Sequence, residues 1–290
     1  RIGLDLLGGG PPWWGTLIIV AGAASALTGV LYALVADDLK KLLAYSTVEN
    51  IGLVLLGVGA GFLFLSLSQP DAAMLAMAAA LLHVINHAAF KGTLFLSAGS
   101  IVHTTGTRDM NLLGGLVTRM PWTAATFLVG AMSIAALPPL NGFVSEWLLF
   151  QSFLPGVASS QAAIAGLLTL GVGALALTGG LAAATFVKAF GISCLAIPRS
   201  TEAAGADESP LSMRVGMLLM AASCPLLALA TIPALTTITG ALAGLGGLTR
   251  TTPAFHLGVT LRTPNGMATM SPVAIAVVLA AALVGIWIVV

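Results

Sequence analysis

The stretch "LLHVINHAAFKGTLFL" (residues 81–96) places two histidines and a lysine in a run that is otherwise apolar enough to lie in lipid. His83, His87 and Lys91 are spaced four residues apart, so on a helix they share one face within an arc of about 80°. The apolar window around them, 73–102, is longer than the roughly 20 residues that cross a bilayer. Its midpoint lies beside His87, so the sequence predicts a stripe of ionisable groups at the bilayer centre.

The rest of the chain has the composition of a membrane protein. Of its 290 residues, 58% are hydrophobic and only 7% are charged, against roughly 25% charged in an ordinary soluble domain. The net charge of +1, without a Lys/Arg run, excludes nucleic acid as a partner. Cys194 and Cys224 lie in apolar stretches without the spacing of a zinc or iron–sulfur site, so we expect them to pack and the chain to bind no metal or cofactor.

The predicted membrane spans are apolar windows of about 20 residues or more. They lie at 15–36, 42–65, 73–102, 122–154, 163–197, 213–237 and 271–290. The window 122–154 is interrupted by "LPPLNG" (residues 137–142), where Pro138 and Pro139 remove backbone donors and Gly142 relaxes the chain. We therefore predict an all-α, polytopic transmembrane helix bundle of about seven spans, one of which is a broken helix.

The distribution of Lys and Arg favours one broken span over two full spans at 122–154. With one span, the richer side carries Lys40, Lys41, Arg108, Arg119, Arg199 and Arg214, and the other side carries Arg1, Arg250 and Arg262. The positive-inside rule makes the richer side cytoplasmic. We refer to this end of the bundle, defined by those six residues, as the basic end.

Three segments outside the clear spans carry further expectations. The window 163–197 is longer than a bilayer requires, so it is either kinked at Gly179 and Gly180 or extends into the cytoplasm. The polar segment 198–212 is predicted to be a flexible cytoplasmic connection. Residues 238–270 are predicted to form an external loop.

The stripe of His83, His87 and Lys91 has three readings. It can form an ion or proton path, a structural polar seam between helices, or a metal site, since histidines four residues apart can ligate zinc. We favour the path, because ionisable residues inside a membrane are costly and functional by default. Such a row passes a proton when water or polar side chains bridge it.

Three further ionisable residues lie within the predicted spans. Glu146 follows the break, where transporters place their ion sites, and is predicted to be a functional carboxylate rather than a structural partner for a lysine. Lys188 either joins the polar path or extends its ammonium to the interface. Glu49 lies roughly two turns inside the second span, beside Asn50, and either marks a water entry point or forms a salt bridge to a neighbouring helix.

Three segments together resemble a known family. They are "DDLKKLLAYSTVENIGLVLLGVG" (residues 37–59), "HVINHAAFKGTLFLSAGSIVHTTGTRDMNLLGGL" (83–116) and "ALPPLNGFVSEWLLF" (136–150). In that order they resemble the second half of the proton-conducting antiporter-like subunits: subunits L, M and N of bacterial complex I, Mrp antiporter subunits and the large membrane subunits of energy-converting hydrogenases. "VENIG", "TGTRDM" and "VKAFGISCLAIPRS" resemble the hydrogenase-4 component B and formate hydrogenlyase subunit 3 branch.

This resemblance implies a fold built from two inverted repeats, each with a broken helix. Residues 1–197 would be the second half of the proton-conducting transporter domain, and 198–290 would be C-terminal transmembrane helices and loops. The chain, which starts at Arg1, is then expected to be part of a longer protein. Lys91 matches the lysine in the middle of the family's polar axis, His83 and His87 match histidines of the same helix, and Glu146 matches a carboxylate of the second broken helix.

The implied function is proton translocation within a hydrogenase or complex I-like assembly, driven by redox chemistry in partner subunits. The predicted relay runs from His83, His87 and Lys91 to Glu146, with an exit through water near the break. The expected partners are membrane and peripheral subunits, the lipid bilayer of a prokaryotic inner membrane, and protons or sodium ions. The alternatives are a sodium/proton antiporter subunit of Mrp type and a scaffold that conducts nothing. The chain itself is expected to hold no redox site.

Overall fold

The computed structural model describes residues 3–4, 9–159, 161–245, 248, 261–262, 269–271, 274–279 and 281–282. Its named helices are α1 (Pro12–Val35), α2 (Leu39–Ser66), α3 (Pro70–Thr105), α4 (Leu116–Arg119), α5 (Pro121–Ile134), α6 (Asn141–Val157), α7 (Ala162–Cys194), α8 (Thr201–Ala204), α9 (Leu211–Leu229) and α10 (Thr231–Leu242), with a 3₁₀ turn at Met110–Leu112. Two short strands, β1 (Leu261–Arg262) and β2 (Thr269–Met270), pair antiparallel. Apart from this short pair of strands, the described residues form a helical bundle, as the predicted all-α class requires.

Five of the described helices are long and apolar enough to cross a membrane: α1, α2, α3, α7 and α9. α7 is one continuous helix of 33 residues that runs through Gly179 and Gly180. At 1.5 Å per residue it is about 50 Å long. Even when tilted by about 40°, the upper end of the usual range, such a helix exceeds the roughly 30 Å hydrocarbon layer. This length supports the second alternative, an extension beyond the lipid.

The window 122–154 is broken, as the two prolines predict. α5 has 14 residues and α6 has 17, so each is shorter than the roughly 20 residues of a full span. Pro138 and Pro139 lie in the unwound segment between them. Gly142 lies instead in the first turn of α6, where an added Cβ would collide with the carbonyl oxygen of Ser133. Its role is therefore to let the two half-helices approach each other closely.

The window 213–237 is a second place where a predicted span is divided. α9 ends at Leu229, Ala230 separates the two helices, and α10 begins at Thr231 and continues to Leu242. The reason is Pro233, which has no N–H to donate to the carbonyl of Leu229 and so removes a hydrogen bond at the junction. The predicted span at 213–237 is therefore divided between two helices.

The connecting segments also differ from the expectations. The segment 198–212 contains α8, whose Ser200 accepts a hydrogen bond from the N–H of Ala203 (3.1 Å), so part of this connection has a defined conformation. The expected external loop, 238–270, begins as helix in α10. Residues 274–279 and 281–282 are helical, and the rest of the predicted span 271–290 lies mostly outside the described residues.

α3 lies at the centre of the bundle and packs against α2, α5, α6, α9 and α10. α1 lies on the far side of α2, and glycines bring these two helices together. A Cβ added at Gly22 would lie 2.8 Å from the backbone nitrogen of Leu56 and 2.9 Å from the carbonyl oxygen of Gly52. Small residues that allow backbones to touch are a common means of packing helices in lipid. α1 therefore packs closely against α2, the helix that faces the stripe on α3.

This packing predicts opposite effects for two equivalent substitutions. Gly22→Ala should lower the unfolding free energy by about 1–3 kcal/mol, because the new methyl group overlaps the backbone of α2. Gly173→Ala on α7 is the control, since an added Cβ there meets nothing within 4 Å, and it should stabilise the helix by about 0.5–1 kcal/mol. Thermal unfolding of the purified protein in detergent measures both, and equal midpoints would contradict the close α1–α2 contact.

Candidate functional site

Lys91 is buried in the middle of α3, and its ammonium is held by α2. Nζ donates to the carbonyl oxygen of Leu43 (2.8 Å) and to Oγ of Ser46 (2.5 Å). Oγ of Ser46 in turn lies 3.1 Å from the same carbonyl, to which it can donate. A lysine with fixed acceptors at membrane depth avoids the cost of an unsolvated charge. α2 therefore provides the local environment of this lysine.

His83 lies two turns before Lys91 on the same helix, is fully buried, and joins α2 to α6. Its Nε2 lies 3.1 Å from Oδ1 of Asn50, and its Nδ1 lies 3.0 Å from Oγ of Ser145. Nδ2 of Asn50 donates to the carbonyl of Ser46 (2.8 Å). Polar contacts thus run without a gap from Lys91 through Ser46, Asn50 and His83 to Ser145. We call these five residues the central chain.

The partners of His83 accommodate both of its protonation states. Because Nδ2 of Asn50 already donates to a carbonyl, Oδ1 faces His83 as an acceptor, and Nε2 must carry a proton. Nδ1 of the neutral ring then accepts from the hydroxyl of Ser145. When the ring is protonated, Nδ1 donates to Ser145, whose hydroxyl can turn to the carbonyl of Gly142 (3.1 Å). Rotation of the Ser145 hydroxyl is therefore enough to accommodate a proton gained by His83.

The central chain ends at the break between α5 and α6. Oγ of Ser145 also lies 3.3 Å from the carbonyl of Asn141, the first residue of α6. Asn86 and Asn141 exchange hydrogen bonds between their amide groups and each other's carbonyl oxygens, at 2.8 and 3.3 Å. These bonds join the first residue of α6 to the middle of α3 beside the break. The start of α6 is therefore fixed directly against α3.

Two buried carboxylates accompany the central chain. Glu146 follows Ser145 on α6 and faces α7, since a Cβ added at Gly179 would lie 3.6 Å from its Oε2. Glu49 precedes Asn50 on α2 and is 2% exposed. Its Oε2 is buried and has no hydrogen-bond partner within the described part of the chain. Unpaired buried carboxylate oxygens are costly, which points to water, a proton or a cation at this position.

His87 is the member of the predicted stripe that the central chain bypasses. It is half-buried, its ring lies edge-on to that of Phe90 with the centroids 5.5 Å apart, and its Nε2 is buried with no hydrogen-bond partner among the described residues. The shared helix face was correctly placed, but no hydrogen bond links His83, His87 and Lys91 directly in the described structure. His83 and Lys91 are linked instead through α2, by the side chain of Asn50 and by the carbonyl and hydroxyl of Ser46.

Lys188 is placed outside the central chain. Its Nζ donates to the carbonyls of Leu34 (3.0 Å) and Ala36 (3.1 Å) at the end of α1, and it lies 3.4 Å from Oδ1 of Asp37. The Lys188 side chain is 25% exposed. A cation at a helix C-terminus satisfies carbonyls that have no partner within the helix. These contacts fit the interfacial alternative, while a role in the path stays a prediction.

Sequence reasoning missed Ser46 and Asn86 as site residues. A signal for each was present: Ser46 precedes Glu49 and Asn50 by three and four residues, and Asn86 follows His83 by three, so both lie on helix faces already identified as polar. What spacing could not give was the partner across the helices. No group of three or more His, Cys, Asp and Glu that could hold a metal ion occurs within the residues that the structure describes.

The long apolar helices, the broken helix and the buried lysine and histidine define a multi-pass membrane protein of antiporter-like fold. A family model described as "NADH:quinone oxidoreductase/Mrp antiporter, TM" matches residues 4–173, which is more than half of the chain. The chain therefore belongs to this family. The resemblance found in its sequence motifs is confirmed.

Particular relatives agree with the hydrogenase branch. Hydrogenase-4 component B of Escherichia coli is 49% identical over 233 residues, which are 79% of this chain and 34% of that protein. Formate hydrogenlyase subunit 3 of the same organism is 46% identical over 224 residues, 76% of this chain and 36% of that protein. The chain thus spans about a third of the length of these relatives.

A solved structure shows the same fold. The membrane-bound sulfane sulfur reductase, an archaeal respiratory membrane complex, has a chain that superposes with a TM-score of 0.75 at 24% identity. The match covers 95% of this chain and 40% of that one. At this identity the likeness shows the fold alone, and it extends over most of the bundle.

The central chain predicts a stability cost for Asn50→Leu. Leucine keeps the volume but leaves Nε2 of His83 without an acceptor, so we expect a loss of about 1–3 kcal/mol. Ser152→Ala is the matched control: Ser152 is equally buried, but its hydroxyl donates to Leu149 in its own helix (2.7 Å). Thermal unfolding should show a clearly larger loss for Asn50→Leu, and equal losses would contradict the bond from His83.

Lys188→Met tests the role of the lysine outside the chain. We expect lower thermal stability, because the carbonyls of Leu34 and Ala36 lose a charged donor. Any ion transport by the assembled protein should be retained, since the central chain is intact. Loss of transport with normal assembly would instead show that Lys188 belongs to the path.

Proposed function

We propose that this chain is part of a proton-translocating membrane subunit in a hydrogenase-4 or formate hydrogenlyase-like, or complex I-like, assembly of a prokaryotic inner membrane. The observation that carries the proposal is the central chain, in which a buried lysine and a buried histidine are connected to a broken helix through polar side chains and the backbone carbonyl of Ser46. A polar chain of this length is costly at membrane depth unless it has a function. Membership of the antiporter family supports the same conclusion.

The proposed step moves a proton along the central chain. Lys91 can release a proton because the carbonyl oxygen of Leu43 and Oγ of Ser46 can accept hydrogen bonds from either the ammonium or the neutral amine. His83 can take one up at Nδ1 by the hydroxyl rotation of Ser145. Asn50 orients the ring but carries no mobile proton, so transfer between Lys91 and His83 requires water beside the side chains.

The carboxylates complete the electrostatics of the step. With Lys91 charged, a negative Glu49 lowers the cost of the buried cation, and the charge of Glu146 acts on Glu49. When the proton leaves Lys91, the same carboxylate favours proton uptake by its other neighbours. The charge on each of these residues therefore changes the proton affinity of the next, so their protonation states are coupled. His87, whose Nε2 is unpartnered among the described residues, is proposed as a site that water connects to this group.

Partner subunits would provide the driving force and the rest of the path. We assign residues 1–197 to the second half of the conducting domain and 198–290 to the C-terminal helices and loops. Since the chain spans about a third of its relatives' length, the proposed route continues through parts of a longer protein. Redox chemistry in other membrane and peripheral subunits of the assembly would shift the charge at one end of the route.

A sodium/proton antiporter subunit is the second candidate, because the matching family includes the Mrp antiporters. The specific observation in its favour is Glu49, whose Oε2 is unpartnered among the described residues and could meet a desolvated cation. A single carboxylate oxygen is a weak sodium site. His83, whose two ring nitrogens are both hydrogen-bonded, suits proton transfer. We therefore place the proton function first.

The central test measures transport by the full-length protein in its assembly. In inverted membrane vesicles, Lys91→Met and Glu146→Gln should reduce proton translocation per redox turnover at least tenfold, with normal assembly, because each removes a charge that the step needs. Lys41→Met, an exposed lysine at the basic end, is the control and should be unaffected.

Three outcomes separate the candidates. Loss of proton translocation without any effect of sodium supports the proposal. Loss of sodium-dependent transport in the same variants supports the antiporter function. Unchanged transport with normal assembly and redox rate would show that the polar residues are a structural scaffold.

A further inference from the structure

A second polar seam lies on the side of α3 that faces α5, apart from the central chain. Oγ of Ser100 lies 2.9 Å from Oγ1 of Thr123, and Oγ of Ser97 lies 3.0 Å from Oγ1 of Thr126. All four side chains are buried. As α3 and α5 run antiparallel, these hydroxyl pairs form successive rungs that lead from the basic end toward the break. We call these four residues the hydroxyl ladder.

The ladder opens at the basic end beside a carboxylate. Glu208 is half-buried, and its carboxylate accepts from the hydroxyl of Thr123 (2.6 Å) and from the backbone N–H of Trp122 (2.7 Å). The next residue, Ser209, hydrogen-bonds through its hydroxyl to Ser100. An ionisable group with access to solvent is therefore in direct contact with the first rung.

The inner end of the ladder meets polar atoms that have no partner. Oγ of Ser133 on α5 and Oδ1 of Asn86 on α3 are both buried and make no hydrogen bond to any residue that the structure describes. Ser133 continues the α5 face of Thr126, and Gly130 between them packs on Thr93. Buried polar atoms of this kind are normally satisfied by internal water. Asn86 is also the residue that bonds Asn141 at the break.

Helix packing alone explains only part of this arrangement. Serine and threonine commonly hydrogen-bond across membrane helices and hold them together, which accounts for the two rungs. The carboxylate of Glu208 also has a structural role, because it accepts from the N–H groups of Trp122 and Thr123 in the first turn of α5. Neither role accounts for the unpartnered oxygens at the inner end, which a file of water molecules between the helices would satisfy.

We infer that the hydroxyl ladder lines a water-bearing access route, which begins at Glu208 on the basic end and reaches the break at Asn86 and Asn141. The inference rests on the proposed function in one respect: the route would exchange protons with the central chain where Asn141 meets Ser145. The presence of water along the ladder does not depend on transport and can be measured separately.

The chain contains its own reporter for this route. Sγ of Cys224 on α9 lies 3.9 Å from Oγ1 of Thr93, beside the ladder, and is fully buried. Cys194, at the end of α7, is buried too and serves as an internal reference in the same molecule. Silver ions in chloride-free buffer probe thiols that water can reach. The silver-protected fraction of each cysteine is read by mass spectrometry after alkylation in denaturant.

The expected result is a loss of silver access to Cys224 when the ladder is blocked. Ser97→Val and Thr126→Val should each slow protection of Cys224 at least fivefold and leave the rate at Cys194 unchanged, which also reports that the variant is folded. Ser152→Val is the matched control: Ser152 is a buried serine outside the ladder, and its substitution should change neither rate.

An unchanged rate at Cys224 in both blocked variants overturns the route. Glu208→Gln, assayed for proton translocation in the assembled protein, then separates the two proposals. If the route and the proposed function both hold, transport falls at least threefold. If silver reaches Cys224 through the ladder while Lys91→Met leaves transport unchanged, the route stands and the proposed function fails.

Discussion

The constraint on which the structure depends is that lipid offers no hydrogen bonds to a buried polar group. Each polar atom at membrane depth must find its partner within the protein or in trapped water. Lys91 finds a carbonyl and a hydroxyl of α2, and the carbonyl of Asn141 at the break accepts from Asn86. These cross-helix bonds place α2, α3 and α6 against one another, so the same contacts stabilise the bundle and connect its ionisable groups.

α3 serves as the shared core of two polar systems. One face carries His83 and Lys91 toward α2 and α6, and an adjacent face carries Ser97 and Ser100 toward α5. Both systems converge where Asn86 meets the start of α6. A broken helix at this point provides free backbone groups at membrane depth, which intact helices cannot supply. The break is therefore the junction of the two systems and not only an interruption in a span.

Much of the fold follows from local rules. Apolar length predicted the spans, and Pro138 and Pro139 predicted the break, because each effect acts within one segment. The division between α9 and α10 was missed although Pro233 signals it. The span was predicted from mean hydropathy, which does not record that a proline removes one backbone hydrogen bond. The part played by Gly142 could not be read from the sequence, as it depends on the position of the Ser133 carbonyl in the preceding half-helix.

The sequence by itself determined that the chain lies in a membrane, which residues are ionisable there, and that His83, His87 and Lys91 share one helix face. Helical spacing is a local property, so four-residue intervals are enough to fix it. Only the tertiary structure decided which of them are connected: Asn50 and Ser145 meet His83, Ser46 meets Lys91, and Lys188 lies at the end of α1. Partners across helices depend on how whole helices pack, and no spacing within one segment contains that information.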